Sequence, residues 1–153
     1  MLKPGDAVEN FTLENDKGEK VNLSDFKGQK VVVYFYPRDD TPGCTAEACS
    51  FRDEISQFAD INTVILGISK DSVKSHMKFI DKYDLPFQLL SDPETKVIQQ
   101  FGAWGEKKNY GKTYMGIIRS TFILDEEGKV LYTFDKVKTK DHALTVLEEI
   151  KKF

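Results

Sequence analysis

The stretch from residue 31 to residue 49 constrains the fold more than any other part of the chain. A run of β-branched and aromatic residues from Val31 to Tyr36 predicts a buried strand. Pro37 ends this strand, and four residues later Thr41 and Pro42 predict the start of a helix. Thr41 would be the N-cap and Pro42 the first helical residue, where the missing N–H has no consequence. A strand therefore leads almost directly to the N-terminus of a helix.

Two cysteines give this helix its chemical interest. Cys44 falls in the first turn, where backbone N–H groups without partners and the helix dipole favour a thiolate over a thiol. Cys49 follows five residues later, and on one regular helix the two Cα atoms would be about 8–9 Å apart, too far for a disulfide. A bond between them requires the first turn or two of the helix to unwind. The alternative, two unrelated buried cysteines, fits the spacing but not the position of Cys44 at a helix N-terminus.

The rest of the chain alternates predicted strands and helices. Further strands are predicted at 11–14, 21–23, 62–69, 87–90, 116–125 and 129–134, further helices at 71–84, 93–101 and 141–151, and a long loop at 103–115. This order predicts a single domain over residues 1–153 of the α/β class. We expect a thioredoxin-like fold with a mixed central sheet, helices on both faces and an N-terminal β-hairpin extension.

The faces of the later helices follow from their apolar spacing. Two sets are expected to face inward: Val73, Met77, Ile80 and Tyr83 on one helix, and Leu144, Leu147 and Ile150 on the last. His76 and His142 are then expected on helix surfaces, and no zinc-like ligand spacing is present. Trp104 and Tyr110 in the predicted loop are expected either to line a substrate mouth or to anchor the loop by packing.

Arg119 is an anomaly because it interrupts an otherwise apolar predicted strand. Such an arginine commonly reaches the edge of a sheet or pairs with a carboxylate. Beside a thiolate, its fixed charge would stabilise the sulfur and then the oxygen that leaves as a peroxide bond breaks. The Thr41 hydroxyl is a candidate for orienting a peroxide, in addition to or instead of capping the helix. Glu47, one turn after Cys44, is either a surface residue or the partner that orients Arg119.

Charge and composition narrow the classes of function. The formal net charge of −3 and a sequence pI of about 5.5 do not favour binding to nucleic acid or to an anionic membrane. The N-terminus lacks a signal-peptide pattern and no apolar run approaches the roughly 20 residues of a membrane span, which predicts a soluble, cytoplasmic protein. Two cysteines are too few for a disulfide scaffold, so a bond between them would be catalytic rather than structural.

These residues resemble the peroxiredoxins, specifically the bacterioferritin comigratory protein (PrxQ) subgroup. Segment 37–44 matches the active-site motif P-x-x-x-T-x-x-C, and segment 45–53 continues as the subgroup does. Segment 116–122 is similar to the arginine strand of the family. Segments 101–108 and 110–115 also resemble the subgroup, so the likeness covers nearly the whole chain.

The resemblance implies a role for each matching residue. Cys44 would be the peroxidatic cysteine, which becomes a sulfenic acid, and Cys49 the resolving cysteine of an intramolecular disulfide. Thr41 and Arg119 would position and polarise the peroxide, and Pro37 would shield the thiolate from water. Hydrogen peroxide and organic hydroperoxides are the implied substrates and thioredoxin or a similar dithiol the implied reductant, with no metal or other cofactor. The resemblance also favours a monomer.

Two other functions fit part of the pattern. A general thiol–disulfide oxidoreductase could use the same fold, but the C-x-x-C spacing is absent and Thr41 and Arg119 would have no role. A non-catalytic peroxide sensor could use the same unwinding helix to bind a partner. Peroxide turnover with a dithiol reductant distinguishes the peroxidase from both.

Overall fold

A computed structural model of the protein describes residues 1–153 and contains nine strands and five α-helices. The strands are β1 (Thr12–Asn15), β2 (Lys20–Asn22), β3 (Lys30–Phe35), β4 (Thr63–Ser69), β5 (Gln88–Ser91), β6 (Trp104–Asn109), β7 (Lys112–Ile117), β8 (Ser120–Leu124) and β9 (Val130–Phe134). The helices are α1 (Pro42–Asp53), α2 (Ile55–Asp60), α3 (Val73–Tyr83), α4 (Lys96–Gln100) and α5 (His142–Ile150). No helix has the length and hydrophobicity that a membrane span requires.

Seven strands form one mixed sheet in the order β2-β1-β5-β4-β3-β8-β9. β3 pairs in parallel with β4, and β4 with β5, as expected for strands joined through helices. β8 pairs antiparallel with β3 on its other side, and β9 with β8. β3 therefore lies inside the sheet, which agrees with its continuous apolar sequence.

Helices cover both faces of this sheet. One core contains the inward side chains of α4 together with Phe101, and the other those of α1, α2, α3 and α5. The side chains of β3 alternate between the two cores, with Val33 and Phe35 in the first and Val32 and Tyr34 in the second. The predicted thioredoxin-like arrangement, including the N-terminal hairpin of β1 and β2, is confirmed.

The predicted inner faces of two helices are wrong in detail. On α3, Met77 is 46% exposed, whereas His76 is fully buried. On α5, Leu144 is 46% exposed, whereas His142 is buried. The expectation that both histidines lie on the surface is therefore wrong. The apolar periodicity assigned each histidine to the polar face because it takes no account of hydrogen-bond partners inside the protein.

Segment 103–115 is not a long loop. β6 and β7 form a separate two-stranded antiparallel sheet, whose turn is Tyr110-Gly111. Most of its side chains are exposed on both faces, so the sequence lacks the apolar alternation that predicts a half-buried strand.

Two predicted elements are each divided in the structure. The predicted strand from 116 to 125 is interrupted, since β7 ends at Ile117, β8 begins at Ser120, and Arg119 lies between them. The spacing of Phe51, Ile55 and Phe58 predicts that the helix begun at Pro42 continues through Phe58. This helix is also divided, because α1 ends at Asp53 and α2 begins at Ile55.

Candidate active site

The N-terminus of α1 has the local structure that its sequence predicts. Thr41 is the N-cap, with φ −100° and ψ 156°, and Pro42 is the first helical residue. The Thr41 carbonyl accepts from the Thr45 N–H at 2.8 Å, while its hydroxyl donates to the Arg38 carbonyl at 2.9 Å. Thr41 therefore caps the helix with its backbone only. Cys44 lies in the first turn and is 1% exposed.

Arg119 reaches Cys44 from the interruption between β7 and β8. Its Nη2 donates to the Cys44 sulfur at 3.2 Å, and its Nη1 donates to Glu47 Oε1 at 2.7 Å. Burial alone would lower the pKa of Arg119, but the negative charges of Glu47 and Cys44 together raise it. The guanidinium is therefore a fixed positive charge between a sulfur and a carboxylate.

Glu47 is fully buried beneath the first turn of α1, so it is not the surface residue that the sequence left as one alternative. Burial raises the pKa of Glu47 to about 7, although the charge and hydrogen bond of Arg119 act in the opposite direction. Its second oxygen, Oε2, has no hydrogen-bond partner. His142 Nε2 lies 3.9 Å from this oxygen, beyond hydrogen-bond distance, and makes a 2.8 Å hydrogen bond with the Thr121 hydroxyl.

A second carboxylate, Asp39, holds the loop that precedes α1. Asp39 Oδ1 accepts from the Tyr36 hydroxyl at 2.6 Å, and Oδ2 accepts from the Ser75 hydroxyl at 2.8 Å. His76 Nδ1 lies 2.7 Å from the same Oδ2, and the Asp39 N–H donates to Asp71 Oδ2 at 2.8 Å. These contacts fasten the loop between β3 and α1 to the start of α3.

Cys49 lies on the same helix as Cys44, and both thiols are free. Cys49 is half-buried, whereas Cys44 is buried. The second half of α1 is also held from outside, because the Ser50 hydroxyl accepts from the Ala143 N–H at 3.2 Å and Arg52 Nη1 donates to the Tyr83 carbonyl at 2.9 Å. The structure thus brings Cys44, Arg119 and Glu47 into contact and leaves Cys49 farther along the helix.

Sequence reasoning did not identify Lys107 on β6. Its Nζ donates to the Ile117 carbonyl at 2.9 Å, two residues before Arg119. Burial lowers the pKa of Lys107, Arg119 lowers it further, and Cys44 acts in the opposite direction. Lys107 therefore contributes a second positive charge near the sulfur, and no motif in a predicted loop could have indicated this.

The two aromatic residues of this segment have different positions. Trp104 is half-buried and packs against the core, with the Lys70 ammonium 5.9 Å from its ring centre. Tyr110 is 96% exposed at the tip of the hairpin. Trp104 therefore anchors its segment by packing, one of the two roles expected from the sequence. Tyr110 neither packs on the core nor lines a substrate mouth.

Pro37 is half-buried and follows Tyr36 directly, in the loop that Asp39 holds. The residues that the sequence analysis missed in this region are Asp39, His76 and His142. Local patterns could not identify them because their partners come from distant segments of the chain.

Comparison with known proteins identifies the family. Residues 4–133 match the model of the AhpC/TSA family. The chain is 50% identical to peroxiredoxin Bcp of Bacillus subtilis over 150 residues, covering 98% of this chain and 96% of the relative.

Solved structures agree with this match. A cysteine-to-serine variant of PrxQ from Xylella fastidiosa superposes with a TM-score of 0.94 at 35% identity, covering 99% of this chain and 97% of the other. The bacterioferritin comigratory protein of Xanthomonas campestris has a TM-score of 0.90 at 39% identity, covering 96% and 98%. The chain therefore belongs to the AhpC/TSA family, among the peroxiredoxins of the bacterioferritin comigratory protein (PrxQ) type, and is a thiol-dependent peroxidase.

Proposed function

We propose that Cys44 is the peroxidatic cysteine of this enzyme and Cys49 its resolving cysteine. The observation that carries the proposal is the 3.2 Å contact between Arg119 Nη2 and the Cys44 sulfur. A charge-assisted donor at this distance stabilises a thiolate, and the helix N-terminus acts in the same direction. Cys49 lies farther along the helix, and the cation that acts on it, Arg52, makes its hydrogen bonds to Asp53 and the Tyr83 carbonyl and not to the Cys49 sulfur.

The peroxide step follows from this geometry. The Cys44 thiolate attacks one oxygen of ROOH, the O–O bond breaks, and the products are a sulfenic acid and an alkoxide that takes up a proton to become ROH. Arg119 offers the leaving oxygen the same charge that it offers the thiolate. Thr41 would orient the peroxide with its hydroxyl, which then has to leave the Arg38 carbonyl, and Pro37 would limit the access of water.

Resolution requires a change in α1. The Cys49 thiolate attacks the sulfur of the Cys44 sulfenic acid, the S–S bond forms and the S–O bond breaks, and the oxygen leaves as hydroxide that takes up a proton to become water. Because the two Cα atoms are about 8–9 Å apart on a regular helix, the segment between them must unwind first. Asp39 holds the chain before this segment, and Ser50 and Arg52 hold it afterwards. These contacts support an unwinding segment between residues 41 and 49.

The substrate is a peroxide and the reductant a thiol. We propose a narrower class of each. We include organic hydroperoxides among the substrates because the study of the Xanthomonas campestris relative concerns its alkyl peroxide reduction activity. Thioredoxin or a similar dithiol protein would reduce the disulfide. Residues 1–153 would act as one domain and as a monomer, since both cysteines belong to one chain. A reducing compartment such as the cytoplasm would keep the two thiols free.

Intact-mass measurement after one equivalent of hydrogen peroxide tests these assignments. The unmodified protein should lose two hydrogens, Cys49→Ser should gain one oxygen at Cys44, and Cys44→Ser should stay unchanged. With thioredoxin and its reductase supplied, Cys44→Ser should show no peroxidase turnover. Turnover of Cys44→Ser at the unmodified rate would contradict the assignment of the nucleophile, and sulfenic acid that persists in the unmodified protein would contradict the role of Cys49.

A further inference from the structure

Arg119 joins two groups whose charges compete for it. On one side it donates to the Cys44 sulfur and on the other to Glu47 Oε1. When Cys44 is a thiolate and Glu47 is ionised, these three side chains carry a net charge of −1 in a largely buried site. When Cys44 is a sulfenic acid, the same three carry no net charge if Glu47 is ionised. The preferred protonation state of Glu47 therefore depends on the state of the sulfur.

Arg119 is the one cation in contact with Glu47. The titratable groups that face it are Arg119, Cys44, the Tyr34 phenol on β3 and His142 on α5. Burial raises the pKa of Tyr34, and the negative charges of Glu47 and Cys44 raise it further, so the phenol stays neutral. Burial and the charge of Arg119 lower the pKa of His142 to about 4, so the imidazole is neutral as well. Lys107 places its charge near the sulfur and donates to the Ile117 carbonyl, not to Glu47. Among the groups that contact Glu47, none but Arg119 is positively charged, so a proton on Glu47 compensates its charge while Arg119 serves the thiolate.

The unpartnered oxygen of Glu47 provides a place for that proton. Oε1 receives the hydrogen bond of Arg119, whereas Oε2 is buried and receives none. A buried, ionised carboxylate with one oxygen unpaired is costly, and protonation reduces this cost. The raised pKa of Glu47, about 7, agrees with this geometry.

We propose that Glu47 carries a proton while Cys44 is a thiolate and releases it during the peroxide step, with neutral His142 keeping a second positive charge away from the carboxyl. The inference rests on the proposed role of Cys44 as the nucleophile. The balanced step is Cys44–S⁻ plus Glu47–COOH plus ROOH, giving Cys44–SOH plus Glu47–COO⁻ plus ROH. The S–O bond forms and the O–O bond breaks, sulfur is oxidised and the peroxide reduced. Glu47 loses one proton and the leaving oxygen gains one, so none is taken from solvent.

Proton uptake during a single turnover tests this. Cys49→Ser protein, reduced and nearly unbuffered, is mixed with one equivalent of hydrogen peroxide at about pH 6.5, below the raised pKa of Glu47. A pH indicator reports protons taken up, absorbance at 240 nm reports thiolate lost, and intact mass reports sulfenic acid at Cys44. We expect little proton uptake with Glu47 present and one proton per thiolate in Glu47→Gln, whose amide oxygen still accepts from Arg119. Glu148→Gln, a change of the same kind at an exposed position on α5, should behave like the parent protein.

A second measurement needs no substitution at Glu47. At about pH 8.5 Glu47 is already ionised, so the Cys49→Ser protein should take up one proton per thiolate there and little at pH 6.5. Two results would overturn the inference and leave the peroxidase assignment intact. One is equal proton uptake at pH 6.5 and pH 8.5, and the other is equal proton uptake by the Cys49→Ser protein with and without Glu47→Gln. Absence of sulfenic acid at Cys44 would overturn the proposed function and this inference with it.

Discussion

Two buried carboxylates, one on either side of Cys44 in the chain, each lie near a buried histidine, and the two pairs differ in how completely they are hydrogen-bonded. In the Asp39–His76 pair, Oδ2 and Nδ1 are 2.7 Å apart, and both oxygens of Asp39 accept further hydrogen bonds. In the Glu47–His142 pair, Oε2 and Nε2 are 3.9 Å apart and Oε2 has no partner. A carboxylate and a histidine therefore form one saturated pair, with each carboxylate oxygen hydrogen-bonded, and one unsaturated pair, with a carboxylate oxygen that has no partner.

In the first pair, the hydrogen bonds of His76 show which of its ring nitrogens carries a hydrogen. His76 Nε2 lies 3.0 Å from the Leu90 carbonyl, which can only accept, so Nε2 carries a hydrogen. Nδ1 lies within hydrogen-bond distance of Asp39 Oδ2, so both ring nitrogens have a partner. Every polar atom of this pair is used, and none is left to respond to the state of Cys44.

The difference in hydrogen bonding corresponds to different roles for the two carboxylates. Asp39 lies in a loop that is hydrogen-bonded to the start of α3, and both of its oxygens already have partners in the reduced protein. Glu47 lies on α1, in the segment that would unwind under the proposed mechanism, and shares Arg119 with the sulfur. The proposed change in the protonation of Glu47 uses its unpartnered oxygen. Asp39, which anchors the loop, has no unpartnered oxygen.

The largest expected effect comes from breaking the saturated pair. In Asp39→Ala the Tyr36 hydroxyl, the Ser75 hydroxyl and His76 lose their common acceptor inside the protein, so we expect a loss of about 3–5 kcal/mol in the free energy of unfolding. Urea unfolding of the reduced protein measures this loss. Glu47→Gln is the matched comparison and should lose less than about 1.5 kcal/mol, because the amide keeps the hydrogen bond from Arg119. Equal losses in the two variants would remove the distinction between the pairs.

The next effect is a change in how stability depends on pH. The folded protein holds the Glu47 proton up to about pH 7, whereas the unfolded chain loses it near 4.5. The stabilisation of the folded state by this retained proton is complete below pH 4.5 and is lost as the pH rises to about 7. The His142 imidazole stays neutral down to about pH 4 in the folded protein, whereas in the unfolded chain it is protonated near 6.5. Its contribution is complete above pH 6.5 and is lost as the pH falls to about 4.

Between pH 4.5 and 6.5 these two contributions have opposite slopes, so single substitutions should expose each of them. Relative to the unmodified protein, Glu47→Gln should gain stability as the pH rises, and His142→Gln should lose it, each by about 1 kcal/mol per pH unit. Urea midpoints measured at half-unit intervals in a constant ionic strength give both differences. Slopes of the same sign in the two variants would contradict the assignment of a protonated Glu47 beside a neutral His142.

The sequence predicts the strand and helix around Cys44 because their signals are local. Val31 to Tyr36 are apolar in a continuous run, and Thr41-Pro42 marks a helix start without reference to the rest of the chain. His76 and His142 are different, since each is buried only because a distant carboxylate, hydroxyl or carbonyl faces it. Periodicity assigns such a residue to the polar face of its helix, and nothing within the helix corrects the error.

The position of Arg119 shows the same limit. The sequence predicts one strand through it, but the chain leaves the ladder there, where Ile118 N–H donates to the Ala103 carbonyl and the Ser120 hydroxyl donates to the Ile118 carbonyl. This interruption directs the guanidinium out of the sheet and toward Cys44. An apolar run predicts a strand but carries no information on where its pairing stops.

The smallest expected effect concerns Asp40, the neighbour of Asp39 in the same loop. Asp40 also reaches α3, with its oxygens 2.8 Å from Lys82 Nζ and 2.8 Å from the Tyr83 hydroxyl, and these hydrogen bonds lower its pKa. The pair with Lys82 is exposed, however, and water replaces each of its contacts when it is broken. Asparagine also tolerates the positive φ of 55° at this position.

Asp40→Asn should therefore leave the urea midpoint unchanged within error, in the assay that detects the loss in Asp39→Ala. Raising the ionic strength should affect the urea midpoints of the unmodified protein and of Asp40→Asn equally. An exposed pair such as Asp40 and Lys82 is already largely screened by solvent and salt. If Asp40→Asn were as destabilising as Asp39→Ala, the loop would be held by its two contacts with α3 regardless of burial. The complete hydrogen bonding of Asp39 would then have no special part in anchoring the segment before Cys44. The contrast with Glu47 would reduce to the position of Glu47 on the helix that we propose to unwind.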